Sequence, residues 1–424
     1  MLPSQAKESP PFSLRAPQSL WILLLGVVLR LLLLSLYPPT EWYEDGTIAK
    51  NISEGLGFSL IPGVPTAIKA PTYPYFLTMI RLMFANDKSF LAATGYCQLL
   101  LFVGSYIYIT RLAGLFFSEK AVALTGLLYS LHPSYVYYIR VLEATNLFLV
   151  AFPAALFCLL CLQPESKPSD FLFCGAAIGF SIITNPISIL PIVLVISYLL
   201  VSYPPFRRFR IKNMGLSLLM LVAVTIPWMG RNAFIFGEVI PVKTPFYYTL
   251  YVGFEREVGE GREALQETSY SEVSSMMNTG QDRQVERMLK PLLIMHVRRN
   301  PGLYMRNCLS RLWQYWWVPR RYLGDHSISF LIGRKLPILF LLLGTIFGLA
   351  SMRRERNSFL VISLLNFLAF TLIYSLIFAA NIRFKLDVEW IQVMVAAHGL
   401  AYLASPGGSS GRFRWTHHWS KSGG

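Results

Sequence analysis

Ten stretches of apolar residues run through this chain, each bounded by charge, proline or aromatic side chains. They lie at roughly 19–37, 91–110, 120–138, 143–162, 171–184, 186–203, 213–230, 334–352, 358–379 and 387–404. About 20 apolar residues in a row cross a hydrocarbon layer about 30 Å thick as a helix, and no soluble core requires ten such blocks. Only 14% of the 424 residues are charged, against about 25% in ordinary soluble domains. A soluble enzyme, a disordered protein and a disulfide-stapled secreted domain are thereby excluded. The sequence reads as an all-α polytopic membrane protein of about ten transmembrane helices. The fifth and sixth stretches are divided by Asn185-Pro186, and the residue before a proline is pushed away from helical geometry, so a break is expected there.

The first apolar stretch is too long for the core of a cleavable signal, and Tyr37-Pro38-Pro39 follows it in place of a small-residue cleavage site, so it reads as an uncleaved first span. Basic residues cluster beside three connections: Arg207, Arg208, Arg210 and Lys212; Arg353, Arg354 and Arg356; and Arg412, Arg414 and Lys421 in the tail. Short loops rich in Lys and Arg stay on the cytoplasmic side, which puts both termini inside. The organisation expected is a cytoplasmic tail at 1–18, a transmembrane core at 19–230 with its first outer connection at 38–90, an extracytoplasmic segment at 231–333, C-terminal helices at 334–404 and a disordered basic tail at 405–424. Within the outer parts, Tyr73–Phe84 is too short to span and reads as a surface helix. A helical stretch is expected around Gln281–Arg299, and Trp313, Tyr315, Trp316 and Trp317 read as an aromatic belt before the eighth span.

Cys97, Cys158, Cys161 and Cys174 sit inside apolar stretches and Cys308 in a polar one. The C-x-x-C spacing of Cys158 and Cys161 has no second pair to complete four ligands, so it reads as apolar filler. His417 and His418 lie in a Gly/Ser-rich tail and carry no metal-site pattern.

The chemistry-bearing residues gather in the outer connections. Glu41, Glu44 and Asp45 fall within five residues just after the first span. A carboxylate at such a rim can take a proton from an attacking hydroxyl, and clustered like charges near low dielectric raise at least one pKa; the same residues would also serve as a plain acidic helix cap. Lys69, before Ala-Pro-Thr-Tyr-Pro, and Arg383, in a short outer loop, are fixed cations at the interface suited to a lipid phosphate, or to snorkelling and headgroup anchoring. Arg30 lies mid-span, where an ionised group needs a partner or a wet cavity; Glu143 and Arg140 are the expected neighbours. Arg231-Asn232 opens the second outer segment and is suited to anchor it. Clustered outer carboxylates are compatible with Mg²⁺ or Mn²⁺, but the sequence specifies no ligand set, and the cofactor stays unknown. No phosphate-binding G-x-x-x-x-G-K-[ST] or zinc-binding H-E-x-x-H run is present.

Four places in chain order resemble the polytopic GT-C glycosyltransferases that use lipid-linked sugars, in the bacterial branch related to dolichyl-phosphate-mannose protein mannosyltransferases and the lipid A aminoarabinose transferase. They are Glu44-Asp-Gly-Thr-Ile-Ala-Lys-Asn-Ile-Ser-Glu-Gly-Leu-Gly-Phe58; Pro65-Thr66 with Lys69-Ala-Pro-Thr-Tyr-Pro-Tyr-Phe76; Pro227-Trp-Met-Gly-Arg-Asn232 followed by Phe236-Gly237; and Arg383-Phe-Lys-Leu-Asp-Val-Glu389. The resemblance implies a GT-C-like bundle with juxtamembrane helices and a small extracytoplasmic domain in the plasma (inner) membrane. It implies transfer, with inversion, from a polyprenyl-phosphate sugar donor to a glycan, lipid or protein acceptor on the extracytoplasmic face. The catalytic carboxylate would be Asp45 or Glu44, the donor phosphate would meet Lys69 and Arg383, and Arg30, Glu143 and Arg231 would support the site. Asp387 and Trp390 stand where the last motif usually has prolines, and no residue matches by motif the second acidic residue many relatives have in a later outer loop. The net charge of +15 suits anionic membrane lipid, and no nucleic-acid partner is expected. The alternative is a transporter or flippase of lipid-linked sugars, which would show an internal repeat and polar residues strung through the bundle; neither is visible. A third reading is a lipid-binding scaffold with a degraded site.

Overall fold

The structure is a computed structural model describing residues 17–163, 165–202, 211–257, 270–378 and 381–404. The basic connection at 207–212, apart from the helical backbone of its last two residues, and both terminal tails lie outside the described residues or side chains.

Helices dominate because the apolar stretches can satisfy their backbone groups internally in no other way within lipid, closed barrels apart. The chain opens with α1 (Pro17–Leu36), then the short outer helices α2 (Glu44–Ser53) and α3 (Thr72–Met83), and returns through α4 (Asp87–Phe116). Then come α5 (Glu119–Leu131), α6 (Pro133–Tyr137), α7 (Thr145–Cys161), α8 (Pro168–Thr184), α9 (Ile189–Ser202) and α10 (Ile211–Phe236). The second outer segment holds α11 (Tyr247–Glu257), α12 (Tyr270–Asn278), α13 (Asp282–Arg299) and α14 (Pro301–Trp316). A π turn at Leu331–Lys335 leads into α15 (Leu336–Glu355), and α16 (Phe359–Leu376) and α17 (Ile382–Leu403) complete the bundle. Among the described residues, five helical stretches are long and apolar enough to cross a membrane, and three shorter apolar helices accompany them. The protein is a multi-pass membrane protein.

Boundaries follow local chemistry. Asn86 caps α4, its side-chain oxygen accepting from the Lys88 and Ser89 amides at 2.9 and 3.3 Å, which satisfies donors the first turn leaves free. The expected break at Asn185-Pro186 is present: α8 ends at Thr184, Asn185 is extended, and a 3₁₀ turn at Pro186–Ser188 leads into α9. The expected third span is shorter than its apolar run, because His132-Pro133 ends α5 at Leu131 and starts α6. The last helix begins at Ile382, five residues before the apolar stretch, carrying Arg383, Lys385, Asp387 and Glu389 on its first turns.

Glycine lets two helix pairs approach closely, as membrane helices without a hydrophobic drive between them require. A Cβ on Gly175 of α8 would lie 2.1 Å from the Ser217 carbonyl of α10, and one on Gly348 of α15 would lie 2.1 Å from the Val395 carbonyl of α17. Aromatic packing fills the centre, with the Phe148 and Phe152 rings stacked at 5.4 Å and Trp390 fully buried against Phe152.

The first outer connection folds on itself. Gly55 and Gly57, both at φ near +78°, reverse the chain after α2, and a two-stranded antiparallel hairpin, β1 (Ser59–Ile61) and β2 (Val64–Pro65), follows. The Asn51 side chain holds it, donating to the Ser59 and Leu60 carbonyls at 2.8 and 3.2 Å. The Pro227–Asn232 motif then fastens this connection to the outer segment. Trp228 donates to the Val242 carbonyl at 2.6 Å and packs on Phe58 at 4.7 Å. Arg231 donates to the Thr66 and Phe58 carbonyls, and Asn232 to the Ile240 carbonyl.

Candidate functional site

One end of the bundle opens into a pocket. It is lined by Asp45 of α2, Lys69 before α3, Glu143 before α7, Lys243 of the outer segment, Tyr374 of α16, and Arg383 and Asp387 of α17. Every one comes from a helix end or connection at the same end of the bundle, although they span 343 positions of sequence between Asp45 and Asp387. Arg353, Arg354 and Arg356 stand at the opposite end, where α15 stops.

Three cations meet four carboxylates here. Lys69 Nζ lies 3.3 Å from Glu44 Oε2 and 3.7 Å from Asp45 Oδ2. Arg383 is paired directly with Glu143, and the Tyr374 hydroxyl donates to the Asp387 carboxylate. Lys243 has neither hydrogen-bond nor ion-pair partner among the described residues, and it faces the same space.

The two adjacent carboxylates differ. The Asp45 side chain is 6% exposed and lines the pocket, whereas that of Glu44 is 47% exposed and lies at its margin. Burial pushes the Asp45 carboxyl above its usual range, more than Lys69 pulls it down. The Lys69 ammonium holds Glu44 below its usual range against a smaller effect of burial. Environments that drive a pair of acids apart in this way give the two different roles. Burial works to lower the Lys69 pKa, but Asp45 and Glu44 outweigh it and the net shift is upward. Lys243 is lowered to about 8, first by burial and then by the charges of Lys69 and Arg383. It is the pocket cation that an incoming anion would stabilise most.

The sequence-expected residues divide into three groups. Asp45, Lys69, Glu143 and Arg383 line the pocket, with Glu44 at its edge. Arg231 lies outside it and donates to the Thr66 and Phe58 carbonyls of the first outer connection. Arg30 does not meet Glu143 or Arg140: it donates to the Gly26 and Ser130 carbonyls at 3.1 and 2.9 Å and lies 3.5 Å from the centre of the Phe102 ring, buried between α1, α4 and α5. The expectation fails because backbone carbonyls and an aromatic face serve a buried guanidinium where no carboxylate is at the same depth. Glu143 is already engaged by Arg383, and Arg140 donates to the Pro38 carbonyl at 3.3 Å. Lys243, Asp387 and Tyr374 were not foreseen as site residues. Asp387 carried a readable sign, lying four residues after Arg383 on the same helix face. Lys243 carried none, being one lysine in an irregular stretch. No group of three or more His, Cys, Asp or Glu residues is placed to hold a metal ion among the described residues.

Residues 68–229, less than half of the chain, match the family model of dolichyl-phosphate-mannose-protein mannosyltransferases. The fold is similar to that of the oligosaccharyltransferase AglB from Archaeoglobus fulgidus. In complex with an inhibitory peptide and a dolichol-phosphate, that protein gives a TM-score of 0.56 at 14% identity, covering 91% of this chain and 50% of that one. Its apo form gives 0.54 at 12% identity with the same coverage. ArnT from Cupriavidus metallidurans, bound to undecaprenyl phosphate, gives 0.44 at 13% identity, covering 91% of this chain and 77% of that one. The chain thus spans about half the length of the archaeal protein. No curated protein matches its sequence. The fold is of the GT-C type seen in these neighbours, and the resemblance to the protein-mannosyltransferase family drawn above is matched by the family model over residues 68–229, which take in Lys69–Phe76 and the start of the Pro227–Asn232 motif.

Proposed function

We propose that the protein is an integral membrane glycosyltransferase that moves a sugar from a polyprenyl-phosphate donor to an acceptor hydroxyl or amine at the extracytoplasmic face. The observation that carries this reading is the convergence of Asp45 with Lys69, Lys243 and Arg383 in one pocket at a helix-bundle rim.

In the proposed reaction Asp45 takes the acceptor's proton as the acceptor atom bonds to the anomeric carbon. The bond from that carbon to the phosphate oxygen breaks, and its electron pair leaves on polyprenyl phosphate. Lys69, Lys243 and Arg383 meet the charge that develops there. Arg383 exchanges Glu143 for phosphate, Lys69 turns from Glu44 towards it, and the charges of Asp45 and Glu44 keep Lys69 protonated beforehand. Attack from the side opposite the phosphate inverts the anomeric centre, as in single-displacement transfer at such carbons. Glu44, pulled low by Lys69 and open to water, is an electrostatic neighbour, and Asp45 is the base.

The positive-inside bias supports the sidedness: Arg353, Arg354 and Arg356 lie opposite the pocket, so the pocket end faces out. Residues 38–90 and 231–333 are then extracytoplasmic, the former supplying Asp45 and Lys69 and the latter Lys243. The experiment is to incubate the purified protein in lipid nanodiscs with a panel of radiolabelled polyprenyl-phosphate sugars. Release of polyprenyl phosphate with at least one donor, in an acceptor-dependent manner, supports the reading. Movement of intact donor across the bilayer with no release would show a transporter instead.

A further inference from the structure

Two lysines of the pocket come from segments 174 positions apart, and one buried carboxylate joins those segments. Asp282, at the start of α13, is fully buried and does not line the pocket. Its Oδ2 accepts from the Ala67 amide at 3.2 Å and from the Thr244 hydroxyl at 2.6 Å. The Thr244 amide in turn donates to the Ala67 carbonyl at 2.9 Å. Ala67 lies two residues before Lys69, and Thr244 follows Lys243 directly. The Thr66 carbonyl is held from the other side by Arg231 at 2.9 Å. The backbone on which Lys69 stands is therefore tied at consecutive residues, and the stretch bearing Lys243 is tied to the same point.

We infer that Asp282 is a positioning residue: by binding both segments through one carboxylate oxygen it sets the separation of Lys69 and Lys243, and so the fit of the pocket to a single phosphate group. This rests on reading both lysines as donor-phosphate ligands. Buried hydrogen bonds to a charged acceptor hold geometry more firmly than neutral ones, and a misplacement of about 1 Å in a positioned group can cost about a hundredfold in rate. Lys243 is faced by Lys69, Arg383, Asp45 and Asp387, so any shift of its segment changes its surroundings measurably.

The test has a readout that needs no substrate. Competitive acetylation followed by mass spectrometry, run across pH on the full-length protein in detergent without added lipid phosphate, reports where Lys243 titrates. In the wild type this is expected near 8. In Asp282→Ala it should move towards the ordinary lysine value of 10.5 as the loosened segment lets water reach Lys243 and draws it away from Lys69 and Arg383, whereas Asp282→Asn, which keeps an accepting oxygen, should stay near the wild type. Thr244→Val removes one of the two bonds and should give a smaller shift in the same direction, which keeps the inference testable if Asp282→Ala does not fold.

Binding of undecaprenyl phosphate in nanodiscs is the second arm. Asp282→Ala should weaken it about tenfold, and Lys243→Ala should add less than about twofold in that background. An unmoved Lys243 titration in Asp282→Ala and Thr244→Val, or a Lys243→Ala effect of full size in the Asp282→Ala background, overturns the inference. If Lys243 moves as expected while the wild type does not bind undecaprenyl phosphate, the positioning stands and the reading of the pocket falls.

Discussion

The first turns of α17 carry two pairs of charges with opposite surroundings. Arg383 and Asp387, four residues apart, face the pocket, where Arg383 meets Glu143 and Asp387 accepts from Tyr374. Lys385 and Glu389, also four apart, face the interior. Glu389 lies 3.0 Å from Arg334, 3.7 Å from His132 and 3.9 Å from Lys385, and is wholly buried. Arg334 also donates to Ser134 and to the Ile382 carbonyl, and Lys385 donates to the Trp316 carbonyl at 2.8 Å. The interior set locks the entry of the last helix against α6, α14 and the π turn. The pocket set holds pairs that border open space, the ones a phosphate or acceptor would replace in the proposed reaction. Charge content alone therefore does not mark the site; access to the open space does.

The comparison breaks most visibly at Glu389. Glu389→Ala leaves Arg334, Lys385 and His132 without their carboxylate, and removing one partner of a buried pair costs about 3–5 kcal/mol. Thermal or denaturant unfolding in detergent should show a loss of that size, and an unfolding curve like the wild type's would mean the interior set is not structural. Next in size is Gly348→Val. A side chain there drives into the Val395 backbone, and overpacking costs about 1–3 kcal/mol, read in the same assay with α17 displaced. On the pocket side, Glu143→Gln frees Arg383 and should change stability by less than about 1 kcal/mol, since partly exposed pairs contribute little. Its effect should fall on turnover instead.

The subtlest test is pH. Lys243, lowered to about 8, is charged below that value and neutral above it, so kcat/KM should fall as pH rises through 8. Asp45, raised above its ordinary 3.8, must be ionised to act, so kcat/KM should also fall on the acid side, at a pH above 3.8. Stability moves the other way on the alkaline side. Between 8 and 10.5 the unfolded chain holds the Lys243 proton more tightly than the folded one, so this group's contribution makes stability rise with pH there. Activity and stability that fell together across that window would contradict the assignment of Lys243.

Much of this molecule was legible in the sequence. The apolar stretches gave the helices, the Asn185-Pro186 break, and α3 and α13 at their expected places, because span length and proline geometry are local constraints. The Glu44–Phe58 and Pro227–Asn232 motifs turn out to be largely architectural: Asn51 and the two glycines shape the hairpin, while Trp228, Arg231 and Asn232 fasten it. Charge at the rim, where an ion needs a reason to sit, singles out Asp45, Lys69 and Arg383 in the sequence, and all three line the pocket. What stayed hidden depends on partners far along the chain. Arg30 chose carbonyls of α1 and α5 over a carboxylate. Lys243 lines the pocket beside a tie between Thr244, Ala67 and Asp282, residues far apart in the chain. The alternation of Arg383 and Asp387 with Lys385 and Glu389 is visible as spacing, but which face is open depends on α6, α14 and α16 packing around it.

One measurement bears most directly on the claim that Asp45 and the pocket cations divide proton removal from phosphate binding. Turnover and undecaprenyl phosphate affinity are measured side by side for Asp45→Asn and Lys69→Ala. Asp45→Asn should lower turnover by about 10²–10⁴, the range for loss of a general base, and bind the lipid phosphate at least as tightly as the wild type; Lys69→Ala should weaken that binding. Wild-type turnover in Asp45→Asn, or lipid affinity lost in Asp45→Asn and kept in Lys69→Ala, would contradict the account.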